Sequence, residues 1–102
     1  MNNEKKILSL LGLIMKSGNI VSGEDTVLGE IKKKNLSLVI VASDASENTK
    51  KKFRDKCSYR GVSMVEFSTK ETLGSALGKG IRSVVGIKDS KISKKIKGLM
   101  EL

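Results

Sequence analysis

Hydrophobic positions along this chain alternate between helical spacing and short continuous runs. Five segments carry apolar residues at helical spacing, and runs rich in β-branched residues separate them at 20–21, 36–42, 62–67 and 81–87. The run at 36–42 is almost wholly apolar, which is typical of a central strand that is covered on both faces. A covered strand between helices predicts an α/β fold, here a three-layer α/β/α sandwich around a small four-stranded mixed sheet.

Polar residues ahead of the apolar segments predict where the helices begin. Side-chain oxygens of Ser, Asp and Asn satisfy free N–H groups at a helix start, and an acidic residue three positions later completes a capping box. The predicted capping residues are Asn3, Ser22 with Asp25, Ser46, Ser68 with Glu71, and Asp89 or Ser90.

The third helix, predicted at 46–59, has distinct inner and outer faces. Thr49, Phe53 and Cys57 recur every four residues and are expected inside, whereas Lys50 is expected outside. Cys57 is therefore predicted to be a buried core thiol and not a nucleophile. A single cysteine excludes an internal disulfide and fits a reducing compartment.

The passage from the first strand into the second helix, residues 21–34, is the first candidate binding surface. Val27, Leu28 and Ile31 anchor one face of the helix, so its N-terminal tip is expected to point outward. Free N–H groups and the positive end of the helix dipole make such a tip suited to a phosphate or a base edge. An ordinary strand-to-helix turn explains the segment as well.

Residues 74–82 superficially resemble a phosphate-binding P-loop. The spacing between Gly74 and Gly78 is one residue short, and Gly80 stands where Ser or Thr must hold magnesium. We therefore exclude nucleotide hydrolysis.

The same glycine-rich stretch is the second candidate binding surface. A backbone without Cβ atoms can approach another surface closely, and Lys79 and Arg82 add positive charge beside it. Ile81 is expected to offer an exposed apolar contact. A helix C-cap followed by a strand is the alternative interpretation.

Positive charge is concentrated in the second half of the chain. The whole chain has 20 basic and 11 acidic side chains, for a net charge of +9, and the entire excess lies in residues 50–102. A surface of this kind attracts polyanions such as nucleic acid, with binding that weakens as salt is added. Solvated outer faces of Lys-rich helices are the alternative explanation.

The composition excludes most small-enzyme chemistry. With no histidine and one cysteine, neither a His/Cys metal site nor a Ser-His or Cys-His pair can form. Asp44 follows the central strand without an evident partner, so a capping or turn role is favoured over catalysis. Phe53, Tyr59 and Phe67 are too few for an aromatic stacking platform. We expect no enzyme activity, no cofactor and no small-molecule substrate.

The N-terminal segment imitates a signal peptide, because Lys5 and Lys6 precede an apolar run. No small-residue cleavage site follows, and the run is too short to span a membrane. A core-facing first helix is the better interpretation, and we expect a cytoplasmic protein with no membrane partner.

Three separated segments resemble a known family. They are V-S-G-E-D-T-V-L-G-E-I-K, L-V-I-V-A-S-D-A-S-E-N-T and L-G-S-A-L-G-K-G-I-R-S-V-V-G-I. In this order they are similar to the kink-turn-binding ribosomal-protein superfamily, and within it to the small bacterial YlxQ-type branch. The resemblance covers residues 8–87. It implies the fold predicted above and binding to RNA that bends sharply beside tandem sheared G·A pairs.

The family signature at the second helix is Gly-x-Asn-x-x-x-Lys, with a polar residue after the Asn. Gly23 matches it, Asp25 replaces the Asn, Thr26 takes the polar place and Gly29 replaces the Lys, while Lys33 matches a basic position near phosphates in relatives. An ionised Asp cannot donate to a guanine oxygen as an Asn amide does, and Gly29 has no side chain to donate. The family's second RNA-facing segment aligns with Gly78, Lys79, Gly80, Ile81 and Arg82.

The resemblance implies a structured-RNA binder that relies on phosphates and shape more than on base contacts. We expect one domain over residues 1–102, a monomer, and association with the ribosome or another ribonucleoprotein. The alternative is a protein-interaction or scaffold module that kept the fold and lost specific kink-turn recognition.

Overall fold

The computed structural model describes residues 3–101, in which five helices alternate with four strands, as predicted. The helices are α1 Glu4–Lys16, α2 Glu24–Lys32, α3 Glu47–Arg60, α4 Lys70–Ala76 and α5 Ser90–Met100. The strands are β1 Ile20–Ser22, β2 Leu38–Val41, β3 Ser63–Glu66 and β4 Val84–Ile87. The last strand is shorter than its apolar run predicted, because residues 81–83 belong to a loop.

The four strands form one mixed sheet in the order β1-β4-β2-β3, which confirms the expected sheet. β4 is antiparallel to both of its neighbours, β1 and β2, whereas β2 and β3 are parallel. The register pairs Ser22 with Val85, and it pairs Val41 with both Val84 and Glu66. The last residues of β1, β2 and β3 therefore lie at the same end of the sheet as the first residue of β4. We call this end of the sheet the loop end.

Helices cover both faces of the sheet, so the three-layer arrangement is confirmed. α2 packs against α3 in one layer, and α1 packs against α4 and α5 in the other. β2 and β4 lie between these layers, and all of their residues are buried. Because α2, α3 and α4 each follow a strand that finishes at the loop end, the positive ends of their dipoles point there.

Two of the predicted capping residues are confirmed. Ser46 Oγ accepts a hydrogen bond from the N–H of Thr49 at the start of α3. Asp89 Oδ1 accepts from the N–H groups of Lys91 and Ile92 at the start of α5. Both caps are local, with donor and acceptor within three residues, which is why the sequence pattern was sufficient to predict them.

The two predicted capping boxes are wrong, because their serines have distant partners. Ser22 is the last residue of β1, and its Oγ accepts a hydrogen bond from Arg82 Nε at 3.0 Å. Ser68 has a φ of 61° and donates its hydroxyl to Glu4 Oε2 at 3.0 Å. Thr69 caps α4 in its place.

Two further side chains depart from their predicted positions. Asn3 precedes α1 as expected but makes no capping hydrogen bond, and its Nδ2 donates to the carbonyl of Leu99 at 2.9 Å. Lys50 was expected outside, yet its side chain is only 13% exposed and its Nζ lies 3.4 Å from Glu66 Oε1. The three residues expected on the inner face of α3 are all buried.

Candidate nucleic-acid interface

The loop end brings the two candidate binding segments together. The N–H of Gly23 donates to the carbonyl of Val84 at 3.0 Å, which ties the start of α2 to the start of β4. Arg82 Nε donates to Ser22 Oγ at 3.0 Å across 60 positions of sequence. The helix tip and the loop that precedes β4 therefore form one continuous surface.

The N-terminus of α2 is not capped by a side chain of the described residues. Gly23 occupies the N-cap position with a φ of 95°, a conformation that favours glycine and supplies no capping oxygen. The first N–H groups of a helix, here those of Glu24, Asp25 and Thr26, have no carbonyl partner within it. Asp25 and Thr26 are also exposed. These donors are therefore left open at the tip, whereas the capping box predicted at Ser22 and Asp25 would have satisfied them.

Glu24 has a role that the sequence analysis missed. Its Oε2 accepts from Thr49 Oγ1 at 3.0 Å, and its Oε1 accepts from Lys52 Nζ at 3.2 Å. The carboxylate is thereby held against α3. Because both partners lie on another helix, no local sequence pattern identifies this contact.

The α4–β4 loop, residues 77–83, doubles back along α4 and is fixed at both ends. The N–H of Lys79 donates to the carbonyl of Gly74 at 2.8 Å, and the N–H of Arg82 donates to the carbonyl of Lys70 at 3.1 Å. Lys79 is exposed, and Ile81 is 65% exposed, as predicted. The loop thus holds a cation and an apolar side chain out to solvent on an anchored backbone.

Gly74 makes this loop geometry possible. It lies inside α4 and is buried, and a Cβ added there would sit 1.8 Å from the carbonyl oxygen of Gly80. By contrast, a Cβ added at Gly80 would meet nothing within 4 Å. The glycine-rich stretch was expected to let its backbone approach another surface closely. In the structure, the loop backbone approaches α4 of the protein itself, at Gly74.

Arg82 is both a structural and a candidate binding residue. Its Nε donates a hydrogen bond to Ser22 Oγ, and its Nη1 donates one to the carbonyl of Ile81 at 3.0 Å. A guanidinium has five N–H groups, so the remaining ones can still bind phosphate oxygens. These two hydrogen bonds fix the orientation of the guanidinium, and therefore the direction in which its remaining N–H groups point.

The structure separates Lys33 from the rest of the predicted set. Lys33 is the C-cap of α2, about 13 Å along the helix axis from Glu24 at its other end. Gly29 lies between them, and a Cβ added there would enter open space. Gly23 therefore lies beside the start of β4, and Asp25 and Thr26 follow it in the first turn of α2, whereas Gly29 and Lys33 lie further along the helix.

The two side chains considered for a catalytic role, Asp44 and Cys57, have structural roles instead. Asp44 Oδ1 accepts from the N–H of Lys70 at 2.8 Å, which confirms a capping role, here at the start of α4. Burial raises the pKa of the Cys57 thiol from 9.0 to about 11, so it is poorly suited to act as a nucleophile. Within residues 3–101, no cluster of acidic or cysteine side chains could hold a metal ion.

Over residues 3–101, no helix is both long and apolar enough to cross a bilayer.

Comparisons with known proteins agree with this architecture. Two curated relatives are each named RNA-binding protein YlxQ. The protein from Enterococcus faecium is 40% identical over 99 residues, covering 97% of this chain and 95% of the relative. The one from Bacillus subtilis (strain 168) is 39% identical over 92 residues, covering 90% of this chain and 92% of the relative.

Two of the solved structures that match this chain illustrate the shared fold. A Bacillus halodurans C protein, described as having unknown function, matches with a TM-score of 0.91 and 37% identity, covering 95% of this chain and 98% of that one. A Giardia lamblia 15.5kD RNA binding protein matches with a TM-score of 0.80 and 23% identity, covering 95% of this chain and 86% of that one. The Giardia match shows the shared fold alone.

A family model decides the classification. The model for the ribosomal protein L7Ae/L30e/S12e/Gadd45 family matches residues 5–97, which include every helix and strand that forms the loop end. The chain therefore belongs to the ribosomal protein L7Ae/L30e/S12e/Gadd45 family.

Proposed function

We propose that this protein binds structured RNA of the kink-turn type, without catalysis, through the N-terminus of α2 and the α4–β4 loop. The observation that carries the proposal is the hydrogen bond from Arg82 to Ser22, which joins a basic loop to an uncapped helix tip. The relatives named RNA-binding protein YlxQ support it, since each matches nearly the whole chain.

Each part of this surface offers a different contact to RNA. The N–H groups at the tip of α2 donate to phosphate or base-edge oxygens, with Gly23 allowing close approach. Lys79 and the free N–H groups of Arg82 bind phosphates, and Ile81 packs on a ribose or a base. Lys33 binds phosphates further along the RNA, because it lies at the opposite end of α2.

Recognition by this surface depends on phosphates and RNA shape more than on base edges. The Asp25 carboxylate accepts hydrogen bonds but does not donate them, and Gly29 has no side chain. The backbone of the helix tip and the Thr26 hydroxyl remain as donors. The Asp44 contact with the N–H of Lys70 supports a structural and not a catalytic carboxylate at this end of the sheet.

A titration with two RNAs tests the proposal. One is a standard kink-turn RNA, and the other is the same RNA with its sheared G·A pairs changed to Watson–Crick pairs, each measured at two salt concentrations. We expect the bent RNA to be preferred at both. Equal binding to the two RNAs that disappears at high salt would show only non-specific attraction to a basic surface.

A double variant tests the contact surface. Lys79→Ala with Arg82→Ala should weaken binding to both RNAs and lower the salt slope by up to about 2, one for each phosphate that the protein no longer neutralises. Lys91→Ala with Lys94→Ala is the matched control. It removes the same charge from the start of α5, which follows the last residue of β4 at the opposite end of the sheet. Equal weakening by the two variants would contradict the proposed surface.

One observation favours the protein-interaction alternative. A groove between α1 and α5 is lined by Leu10, Leu13 and Leu99 together with lysines that include Lys5 and Lys95, and Leu13 is 66% exposed. Apolar residues bordered by lysines complement an acidic amphipathic helix of a partner protein. If the RNA titration shows no preference for the bent RNA, this groove becomes the leading candidate.

We further propose one domain, a monomer and a cytoplasmic, ribonucleoprotein-associated setting. A single hydrophobic core joins residues of all five helices and the strands, which supports one cooperative unit. The family, with its ribosomal members, supports the setting.

A further inference from the structure

Tyr59 is an exposed aromatic side chain near the end of α3. It is 81% exposed, whereas Phe53 is fully buried. The guanidinium carbon of Arg60 lies 5.4 Å from the centroid of the Tyr59 ring, a cation–π distance that restrains the ring and places positive charge beside it. Too few aromatic residues are present for a stacking platform, but one exposed ring is enough to stack one base.

The ring continues a basic stripe on the outer face of α3. Lys52, Lys56 and Tyr59 are spaced i, i+4, i+7 and therefore share one helix face. They line an open depression together with Asp55. The Asp55 carboxylate is already paired with Lys51 at 3.0 Å, which reduces its repulsion of a phosphate.

The stripe begins beside the proposed RNA interface. Lys52 Nζ lies 3.2 Å from Glu24 Oε1, and Glu24 is the first residue of α2. From Lys52 to Tyr59 the helix rises about 10 Å. A strand that leaves RNA docked at the tip of α2 can thus follow α3 past Lys52, which is paired with Glu24, and over Lys56 to reach an aromatic ring.

We propose that Tyr59 binds an unpaired nucleotide that flanks the structured RNA, whose base stacks on the free face of the ring. Arg60 and the basic stripe on α3 hold the neighbouring phosphates. The inference rests on the proposed function, since it extends the same interface. It adds a single-strand subsite on α3 to the contacts at the loop end.

Tyrosine fluorescence gives a direct test. The chain has one Tyr and no Trp, so all of its tyrosine emission comes from Tyr59. The probes are a blunt kink-turn RNA, the same RNA with a short single-stranded adenosine extension, and an adenosine oligonucleotide alone. We expect the extension to quench Tyr59 emission and to tighten binding about fivefold or more, the size of one base-stacking contact.

Variants at the ring separate stacking from charge. Tyr59→Ala should abolish the gain from the extension and leave affinity for the blunt RNA unchanged. Tyr59→Phe should keep the gain, because it retains the aromatic face. Lys56→Ala should reduce binding of the extended RNA with a change in salt slope, which Tyr59→Ala should not cause.

The outcomes distinguish this inference from the proposed function. Preference for the bent RNA with no gain from the extension, or a gain that survives Tyr59→Ala, would overturn the subsite and leave the proposed function standing. Quenching by the oligonucleotide without any preference for the bent RNA would support the subsite and overturn the proposed function. If no RNA quenched Tyr59 emission, the subsite would be wrong.

Discussion

At the residue scale, Gly74 shows how one missing side chain shapes the candidate interface. The carbonyl oxygen of Gly80 occupies the space that a Cβ at position 74 would need. The N–H of Lys79 bonds to the carbonyl of the same glycine, so the loop is held on α4 by both contact and hydrogen bond. The exposed positions of Lys79 and Ile81 depend on that seating.

Gly74→Ala should therefore damage both stability and binding. The added methyl cannot fit at 1.8 Å from the Gly80 oxygen, so the loop or α4 must shift. We expect the free energy of unfolding, measured by urea denaturation, to fall by about 1–3 kcal/mol, the usual cost of overpacking. Affinity for kink-turn RNA should fall as well, because the displaced loop no longer aligns with the tip of α2.

Gly80→Ala is the matched control, since a Cβ there meets nothing within 4 Å. It should change the free energy of unfolding far less than Gly74→Ala does. Equal stability of the two variants would show that the loop is not seated through Gly74.

At the element scale, α2 combines an open N-terminus with Asp25 and Gly29 at the positions where the resemblance implies an Asn and a Lys. Its buried residues, Val27 and Ile31, fix the helix against the rest of the fold, so the outer face is free to vary. Asp25 is exposed at the tip, and the position of Gly29 opens onto solvent. Both sites have room for the Asn and Lys of the family signature.

Asp25→Asn with Gly29→Lys should raise affinity for kink-turn RNA about tenfold or more, because each restored polar base contact is typically worth about 1–3 kcal/mol of discrimination. The gain should be smaller for the RNA with Watson–Crick pairs in place of G·A pairs. Gel-shift titrations of both RNAs would measure this difference.

Gly98→Lys with Glu101→Gln, at the C-terminal end of α5, is the control for added charge. Gly98→Lys places its Cβ in open space and removes a helical glycine, as Gly29→Lys does. Glu101→Gln removes one exposed carboxylate, as Asp25→Asn does. Similar gains on both RNAs, or a similar gain from the control, would mean that charge alone strengthened binding.

At the scale of the whole molecule, the fold joins a neutral half of the chain to a basic half. The tip of α2 comes from residues 1–49, which carry no net charge, and the α4–β4 loop comes from residues 50–102, which carry all of the +9. Antiparallel pairing of β4 with β1 brings the two together. Cys57 lies in the core that joins these halves, so the protonation of its thiol is linked to the stability of the whole molecule.

Stability should decline at alkaline pH because of Cys57. Burial raises the pKa of its thiol to about 11 in the folded protein, against 9.0 ordinarily. The unfolded chain therefore releases this proton at lower pH than the folded chain does. The free energy by which the protonated thiol stabilises the folded protein is fully present below about pH 9 and is lost as pH rises towards 11.

Urea denaturation of the protein and of Cys57→Ala across this pH range would measure the effect. Every other titratable side chain is present in both proteins, so the difference between them isolates the thiol. We expect the free energy of unfolding to fall more steeply with pH in the protein that retains Cys57. Parallel curves for the two proteins would contradict a buried, neutral thiol.

The order and type of the elements could be predicted from the sequence because those signals are local. Apolar spacing identifies α3 and its buried face, and continuous β-branched residues identify β2. Caps at Ser46 and Asp89 were predictable for the same reason, since their partners lie within three residues. The resemblance to the family could be read from the sequence too, because its motifs are short and ordered along the chain.

The sequence by itself thus determined the α/β class, the central strand and the segments from which a binding surface could be built. Only the tertiary structure decided that Ser22 binds Arg82, that Glu24 contacts α3 and that the backbone of Gly80 packs against Gly74. In each case the partner comes from another element. Local patterns contain no information about which distant group competes for a hydroxyl, a carboxylate or an empty space, because sheet pairing and helix packing bring those groups together.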